Sequence, residues 1–328
     1  MKAAICSRYG PPSVVRVRDL PEPMPGPGEV LVAVEAAGLT SGDARLRAAR
    51  APAGMGPLIR LAFGLRGPRR SVLGREYAGR VKALGSGVDQ FQVGQAVFGI
   101  TDAMNLGAHA ERVVVKASGL IMQRPESLSV PEAAAFFFGG LTAADFLLDQ
   151  CALDSHERLL VVGATGAVGS AAVQIGRAAG AHVTALASAA NLALALDLGA
   201  HEVHEYRHGP GPEPFDVILD VPGPLPMALD RLAPGGRLGL VTPNLAQMIG
   251  ASVMPNRSQG RRVCAGVIKE NHRAVERLLN LHRTGRYRPL LGEVFQLDDI
   301  HYAHVAAQSG HKRGNLVIEM GLSGSMTF

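Results

Sequence analysis

Three glycines at a spacing of three, in Gly163-Ala164-Thr165-Gly166-Ala167-Val168-Gly169, carry the plainest chemical meaning in this chain. They follow an apolar run, Leu159-Leu160-Val161-Val162. They precede a small-residue helical stretch, Ser170 to Gly180, and then a second strand-like run, His182-Val183-Thr184-Ala185-Leu186. Strand, glycine turn, helix and strand make one βαβ unit. Glycine permits the tight turn and the close approach of a pyrophosphate, whose charge then lies at the positive end of the helix. The fingerprint and its flanks together point to a bound nicotinamide dinucleotide. Gly163, Gly166, Ala167, Val168 and Gly169 are its expected contacts.

Which dinucleotide depends on the end of the second strand. An NAD site places an acid about 20 residues beyond the fingerprint, on the ribose 2′-hydroxyl. Here that place reads Ala187-Ser188-Ala189-Ala190-Asn191, with no carboxylate to repel a 2′-phosphate, so NADPH is expected over NADH. Ser188 and Asn191 can also be read as merely opening the next helix, with Asn191 as its cap. Cys6, Cys151 and Cys264 form no CxxC pair and no disulfide framework, which fits a reducing cytoplasm. A structural zinc lobe needs four ligands, usually cysteines, and three scattered thiols cannot supply it.

The elements that must position these residues are legible in outline. A length of 328 residues allows two domains, and 47% hydrophobic with 19% charged residues describes a globular chain rather than a disordered one. The net charge of +5 is spread out and no nucleic-acid motif accompanies it, so no nucleic-acid partner is expected. Met1-Lys2-Ala3-Ala4-Ile5 leads straight into a strand-like segment rather than a signal peptide. The longest apolar run, Ala133 to Leu148, is broken by Gly139, Gly140 and Asp145, and stable membrane insertion is not expected. The first third reads as a compact barrel: Glu29 to Ala37 alternates as a strand, and glycines recur at 74, 79, 85, 87, 94 and 99. From Pro131 to about residue 258 strands alternate with helices, including strands at Phe215–Asp220 and Gly236–Val241. Arg273–Thr284 has helical spacing and Asn315–Glu319 reads as a closing strand. The segment Gly56–Arg70 mixes apolar and basic residues; a surface excursion with solvated arginines is the expected reading, a flap over a substrate site another, and a membrane-surface role a third that no long amphipathic stretch supports.

Several segments occur in an ordered set: Gly74-Arg75-Glu76-Tyr77-Ala78-Gly79, Leu84-Gly85-Ser86-Gly87-Val88, Val93 to Gly99, Gly107 to Glu111, Gly140-Leu141-Thr142-Ala143, the fingerprint, and Asp197-Leu198-Gly199-Ala200. In that order the chain resembles the medium-chain dehydrogenase/reductase superfamily, and within it the zinc-free, quinone oxidoreductase-like branch. The resemblance implies an α/β protein. A GroES-like β-barrel catalytic domain would span residues 1–123 and 269–328, and a doubly wound parallel-sheet (Rossmann) domain 124–268. Arg75 stands where zinc relatives carry histidine, and Gly38 to Asp43 lacks their early cysteine, so no metal is expected.

The branch binds the 2′-phosphate through a serine or threonine, a lysine three residues on and a tyrosine. Ser188 and Tyr206 match, while Asn191 replaces the lysine, with Arg207 available to compensate. Thr142, Val241, Thr242 and Pro243 are expected near the coenzyme, the last three at the nicotinamide. The branch's Asn-x-x-Asp with a tyrosine two residues later becomes Thr40, Asp43 and Arg45. Thr40 and Arg45 could serve a developing oxyanion, and Asp43 could instead pair with Arg45 or a backbone group. Arg75 could bind an acceptor oxygen or pair with Glu76, and His109 falls where an aromatic residue packs. The implied activity is NADPH-dependent, zinc-independent hydride delivery to a small electron-poor acceptor, a quinone or an activated α,β-unsaturated carbonyl alkene, by a cytoplasmic homodimer paired through Arg262–Val267. A pathway-specific enoyl reductase, and a non-catalytic NADPH-binding redox sensor or structural protein, stay open as alternatives. The acceptor itself is not readable from fold and nucleotide site.

Overall fold

The computed structural model describes residues 1–223, 225, 228–253 and 258–321; residues 322–328, the end of the expected first domain, lie outside these. Two compact units emerge: Met1–Ala51 with Gly56–Phe137 and Leu291 onward, and Pro52–Met55 with Phe138–Leu290. The expected domain boundaries fall at 123/124 and 268/269.

In chain order the first unit begins with β1 (Lys2–Cys6), β2 (Val15–Asp19), β3 (Glu29–Leu39), α1 (Ser41–Ala48) and α2 (Gly56–Phe63). It continues with β4 (Glu76–Leu84), β5 (Ala96–Ile100), β6 (Arg112–Lys116), β7 (Leu120–Gln123) and α3 (Val130–Ala134). Next come α4 (Phe137–Ala144), continued by a π-helical stretch at Asp145–Gln150, then β8 (Arg158–Val162), α5 (Ala167–Ala178), β9 (His182–Ala187) and α6 (Leu192–Asp197). These lead to β10 (Glu202–Glu205), β11 (Phe215–Asp220), β12 (Leu232–Leu240), α7 (Leu245–Val253), β13 (Arg262–Ala265) and α8 (His272–Arg283). The chain then re-enters the first unit as β14 (Leu291–Gln296), α9 (Ile300–Gln308) and β15 (Asn315–Glu319).

The first unit is built on a mixed sheet in the order β14-β15-β3-β4-β5-β7, with β6 also paired to β3 and β1–β2 forming a separate ribbon. Strand β3 is its spine. It pairs antiparallel with β4 along one side and with β6 and β15 along the other, so both of its edges are paired. Val30, Val32, Val34 and Leu39 from β3 join Tyr77, Val81, Val97 and Ile318 in one core. β-branched side chains suit such a pleated, enclosed surface. The register Leu316↔Leu39 lays the loop before β15 beside the start of α1. The stretch 56–70 contains a helix, α2, that the sequence reading did not anticipate; Ile59 and Phe63 pack against the core.

The second unit is a wholly parallel sheet, β10-β9-β8-β11-β12-β13, which is the 3-2-1-4-5-6 order when counted from β8. Strand β8 is apolar without alternation and Leu159 to Val162 are buried, as a strand covered on both faces must be. The strand order reverses between β8 and β11, where open α/β sheets bind ligands. The mixed sheet and the parallel sheet together bear out the expected fold class. No described helix is long and apolar enough to cross a membrane.

Candidate active site

The glycine turn connects β8 to α5. Gly163 has φ +80°, which only glycine adopts without strain, and its N–H donates to Leu186 O on β9 (3.1 Å). Gly169 closes the helix onto that turn: a Cβ there would lie 2.0 Å from Gly163 O. Gly166 is the N-cap of α5, has no side chain to satisfy the helix, and a Cβ on it would meet nothing nearer than Gly163 O at 3.7 Å. Among the described residues no protein acceptor takes the N–H of Ala167, Val168 or Gly169. Three orphan donors at the positive end of a helix with no acid in its first turn suit an anion such as a pyrophosphate. The residues present fit a nicotinamide dinucleotide.

The adenosine-side candidates gather at the ends of β9 and β10. The Tyr206 hydroxyl lies 3.6 Å from where a Gly163 Cβ would be, so the tyrosine reaches the glycine turn. Burial, with Asp220 nearby, pushes that phenol up, so it stays a neutral donor. Ser188 is exposed and Asn191 half-buried just beyond β9. Both stand at N-cap positions, Ser188 before the 3-10 turn Ala189–Asn191 and Asn191 before α6, as the helix-opening reading has it, but neither side chain makes a cap hydrogen bond. Asn191 Oδ1 is instead buried without a partner among the described residues. Arg207, the expected substitute for the missing lysine, has its Nε on Glu205 Oε2 at 2.7 Å, so part of its charge is already answered.

The other coenzyme candidates have their hydrogens engaged locally. Thr142 is buried in α4 and its hydroxyl donates back to Phe138 O (2.6 Å). Val241, Thr242 and Pro243 follow β12 at the carboxyl edge of the sheet; Val241 N–H donates to Asp220 O, and Thr242 Oγ1 reaches Val221 O and Pro222 O at 3.1 Å each. Asp220, which the sequence reading passed over, sits buried at the same edge. Burial raises its carboxyl, although Leu225 and Gly223 N–H groups donate to it. Cys151 and Cys264, far apart in the chain, also meet in this unit. Their mutual hydrogen bond, with Arg262 and Arg237 nearby, lowers the Cys264 thiol.

In the first unit Thr40 and Asp43 stand together at the head of α1. Thr40 is the N-cap and Asp43 the third helical residue, each side chain bonded to the other's backbone N–H. Asp43 Oδ2 accepts from Thr40 N–H (2.8 Å) and Oγ1 (2.7 Å), and Oδ1 accepts from Gly74 N–H (3.1 Å). Both carboxylate oxygens are engaged and the single Thr40 hydroxyl proton is directed at Asp43. No ion pair joins Asp43 to Arg45 among the described residues; Arg45 is exposed on α1. Gly74, with φ +83°, is held where a Cβ would lie 2.2 Å from the His109 ring. His109 is buried, its Nε2 3.0 Å from Gly38 O, as a packing residue would be. Arg75 is half-buried and donates to Thr101 O from Nε (3.2 Å) and Nη2 (2.9 Å).

Two residues join this cluster that sequence reasoning missed. His304 on α9 is fully buried, with both ring nitrogens unpartnered among the described residues. Burial and the neighbouring His109 press its pKa down to about 3, so the ring is neutral. Lys312 lies in the loop before β15, half-buried, with no hydrogen bond or ion pair among the described residues. Burial lowers its pKa against the pull of Asp43 and Glu76, and Arg45 lowers it further. Among the described residues no group of three His, Cys, Asp or Glu side chains stands together as a metal site.

Residues 26–126 match the family model described as the alcohol dehydrogenase GroES-like domain, and residues 198–318 the one described as zinc-binding dehydrogenase. The chain is 30% identical to the mitochondrial NAD(P)H oxidoreductase RTN4IP1 of Danio rerio, over 98% of this chain and 91% of that protein. It is 28% identical to the quinone oxidoreductase from Coxiella burnetii, with a TM-score of 0.86 over 98% of this chain and 99% of that one. It is 31% identical to the quinone oxidoreductase from Thermus thermophilus, whose complex with NADPH has been solved, with a TM-score of 0.75 over 98% and 100% of the two chains.

Proposed function

The chain belongs to the medium-chain dehydrogenase/reductase superfamily, in its quinone oxidoreductase-like branch, and on that premise we propose that it is an NADPH-dependent, zinc-independent reductase of a quinone or an activated alkene. That it is an NAD(P)H oxidoreductase follows from the family. The observation that carries the cofactor is the set of unclaimed N–H groups at Ala167, Val168 and Gly169, over a turn that only glycine can make. In this reading residues 124–268 hold the coenzyme and residues 1–123 with 269–328 the acceptor.

Gly163, Gly166, Ala167, Val168 and Gly169 would hold the pyrophosphate. Ser188, Asn191 and Tyr206 would surround the 2′-phosphate, and Thr142, Val241, Thr242 and Pro243 the nicotinamide side. When bound, the coenzyme supplies a hydride. This chain's own part is to orient the partners and to answer negative charge on the acceptor oxygen. The exposed Arg45 and the half-buried Arg75 are the cations for that task, while Thr40 and Asp43 hold the head of α1 in place beside Gly74. Arg75 in place of a neutral or anionic ligand, and the lack of a cysteine in Gly38–Asp43, favour chemistry without zinc. A homodimer and a cytoplasmic setting complete the proposal. β13 supports the first, since among the described residues it pairs with β12 alone.

The test is oxidation of NADPH and of NADH, followed at the nicotinamide absorbance band, against an ortho-quinone and a panel of enones and enals. Turnover with the quinone, faster with NADPH, is the expected result. Turnover confined to enones would transfer the assignment to an enoyl reductase. Coenzyme binding with no acceptor reduced would overturn the catalytic reading in favour of a redox sensor.

A further inference from the structure

Between Asp43 and Glu76 the chain holds eight arginines and no acidic residue. Helix α2 lies inside this stretch and is apolar on two sides. Ile59 and Phe63, four apart, face inward onto the core of the first unit. Leu58, Leu61 and Leu65, spaced three and then four apart, face outward and are 52%, 65% and 69% exposed. Single exposed leucines are ordinary, but Leu58 and Leu61, three apart on a helix with no buried residue, and Leu65 just past its end leave apolar surface uncovered.

The surroundings of that surface are basic and unneutralised. Arg60 Nη1 donates to Leu65 O (3.0 Å), and its guanidinium lies 5.3 Å over the Tyr9 ring. Arg69 Nη2 donates to Leu61 O (3.1 Å), and Arg70 Nη2 to Asn105 Oδ1 (3.3 Å). These partners are neutral, and among the described residues no carboxylate pairs with Arg60, Arg66, Arg69 or Arg70. Asp102, three residues before Asn105, is an acid of the adjoining loop. The two carbonyl contacts brace the turn after α2.

We propose that Leu58, Leu61 and Leu65 and the arginines around them form a docking surface for an anionic lipid bilayer. The leucines would enter the headgroup boundary while the arginines meet lipid phosphates. An apolar surface flanked by cations is the pattern by which peripheral helices lie in an interface without spanning it. Charge complementarity favours a bilayer over a neutral protein groove, and the absence of acids in the stretch removes the repulsion that would oppose it.

The test is co-sedimentation of the whole chain with vesicles of phosphatidylcholine alone and of phosphatidylcholine with about one-third phosphatidylglycerol. Sedimentation with the anionic vesicles, weakened by salt and scarcely seen with the neutral ones, is expected. Leu61→Asp with Leu65→Asp should lower the affinity about tenfold or more, and Arg66→Glu should lower it separately, each with an unchanged thermal melt. Sedimentation equal on both vesicles, absent from both, or unaltered in the variants overturns the proposal. So does a leucine variant that fails only to self-associate on a sizing column, since the leucines would then join two copies of this chain.

Discussion

Gly166 and Gly169 carry different loads, and substituting each by alanine separates coenzyme binding from folding. At Gly169 the new methyl would fall 2.0 Å from Gly163 O, 2.7 Å from Gly163 C and 2.8 Å from Ala164 Cα, against ordinary contact at 3.4 Å or more. All three atoms are backbone, so no rotamer change relieves them and α5 must back away from the turn. Overpacking of this kind costs about 3 kcal/mol, the upper end of the usual range. For a domain of this size that is a melting point lower by roughly 6–12 °C. At Gly166 the same methyl meets nothing nearer than 3.7 Å and φ is −79°, so Gly166→Ala should change stability by no more than about 1 kcal/mol. If the turn receives a pyrophosphate, that methyl occupies the anion's approach, and NADPH affinity should fall about a hundredfold, or ~2.7 kcal/mol. Scanning fluorimetry reads the first quantity and calorimetric titration with NADPH the second. A Gly166→Ala protein that binds NADPH like the parent would refute the assignment of the turn, and one that melts as low as Gly169→Ala would refute the steric argument.

Asn191→Lys should restore a cation beside Ser188 and Tyr206 and raise the NADPH:NADH ratio of kcat/KM about tenfold; an unchanged ratio would remove these residues from the 2′-phosphate site. Arg47 is fully buried in α1 and forks to Gly10 O (2.8 Å) and Gln308 Oε1 (2.6 Å). A lysine cannot span that fork, so Arg47→Lys should cost about 2 kcal/mol in urea denaturation, and Arg47→Ala more. Burial tends to raise the Glu157 carboxyl, but hydrogen bonds from Arg237 and from Asp154 N–H outweigh it and leave the pKa lowered. A carboxylate lowered in the folded state stabilises fully above its unfolded value of about 4.3 and loses that contribution as pH falls through the folded value. The gap in stability between the parent and Glu157→Gln, about 2 kcal/mol near neutrality, should therefore close below roughly pH 4. A gap independent of pH would show that the Arg237 pair contributes nothing.

The parallel sheet was open to sequence reading because its central strands, β8 and β11, are largely apolar and its turn needs glycine. Phe215–Asp220 and Asn315–Glu319 were anticipated to the residue. The head of α1 was read as chemistry when it is also architecture. Thr40-x-x-Asp43 is the pattern of a capping box, and weighing it would have foretold the helix and the engaged hydroxyl. Helix α2 escaped because its apolar residues lie on two faces and mask a single period. Lys312 and His304 carry no local motif. They come to Asp43 from the far end of the chain, Lys312 from the loop before β15 and His304 from α9, which packs on α1, and short-range patterns say nothing of such partners. The NADPH pocket was half legible: the missing acid is a matter of composition, but the contact between Arg207 and Glu205 is a matter of where β10 ends.

The pairing of β15 with β3 also sets an order of events at the ribosome. Strands β8 to β13 are contiguous in the chain, so the parallel sheet can close while the C-terminal segment is still being made. The mixed sheet cannot. Until Asn315–Glu319 emerges, the Ala36–Leu39 end of β3 has no partner on that side, and its backbone N–H and C=O groups form an open edge in the oldest part of the nascent chain. Synthesis exposes that edge for as long as the intervening residues take to appear. Slowed translation after α8 should therefore prolong exposure of an aggregation-prone strand, and a chaperone that shields the N-terminal segment would improve yield more than one that acts on the released chain.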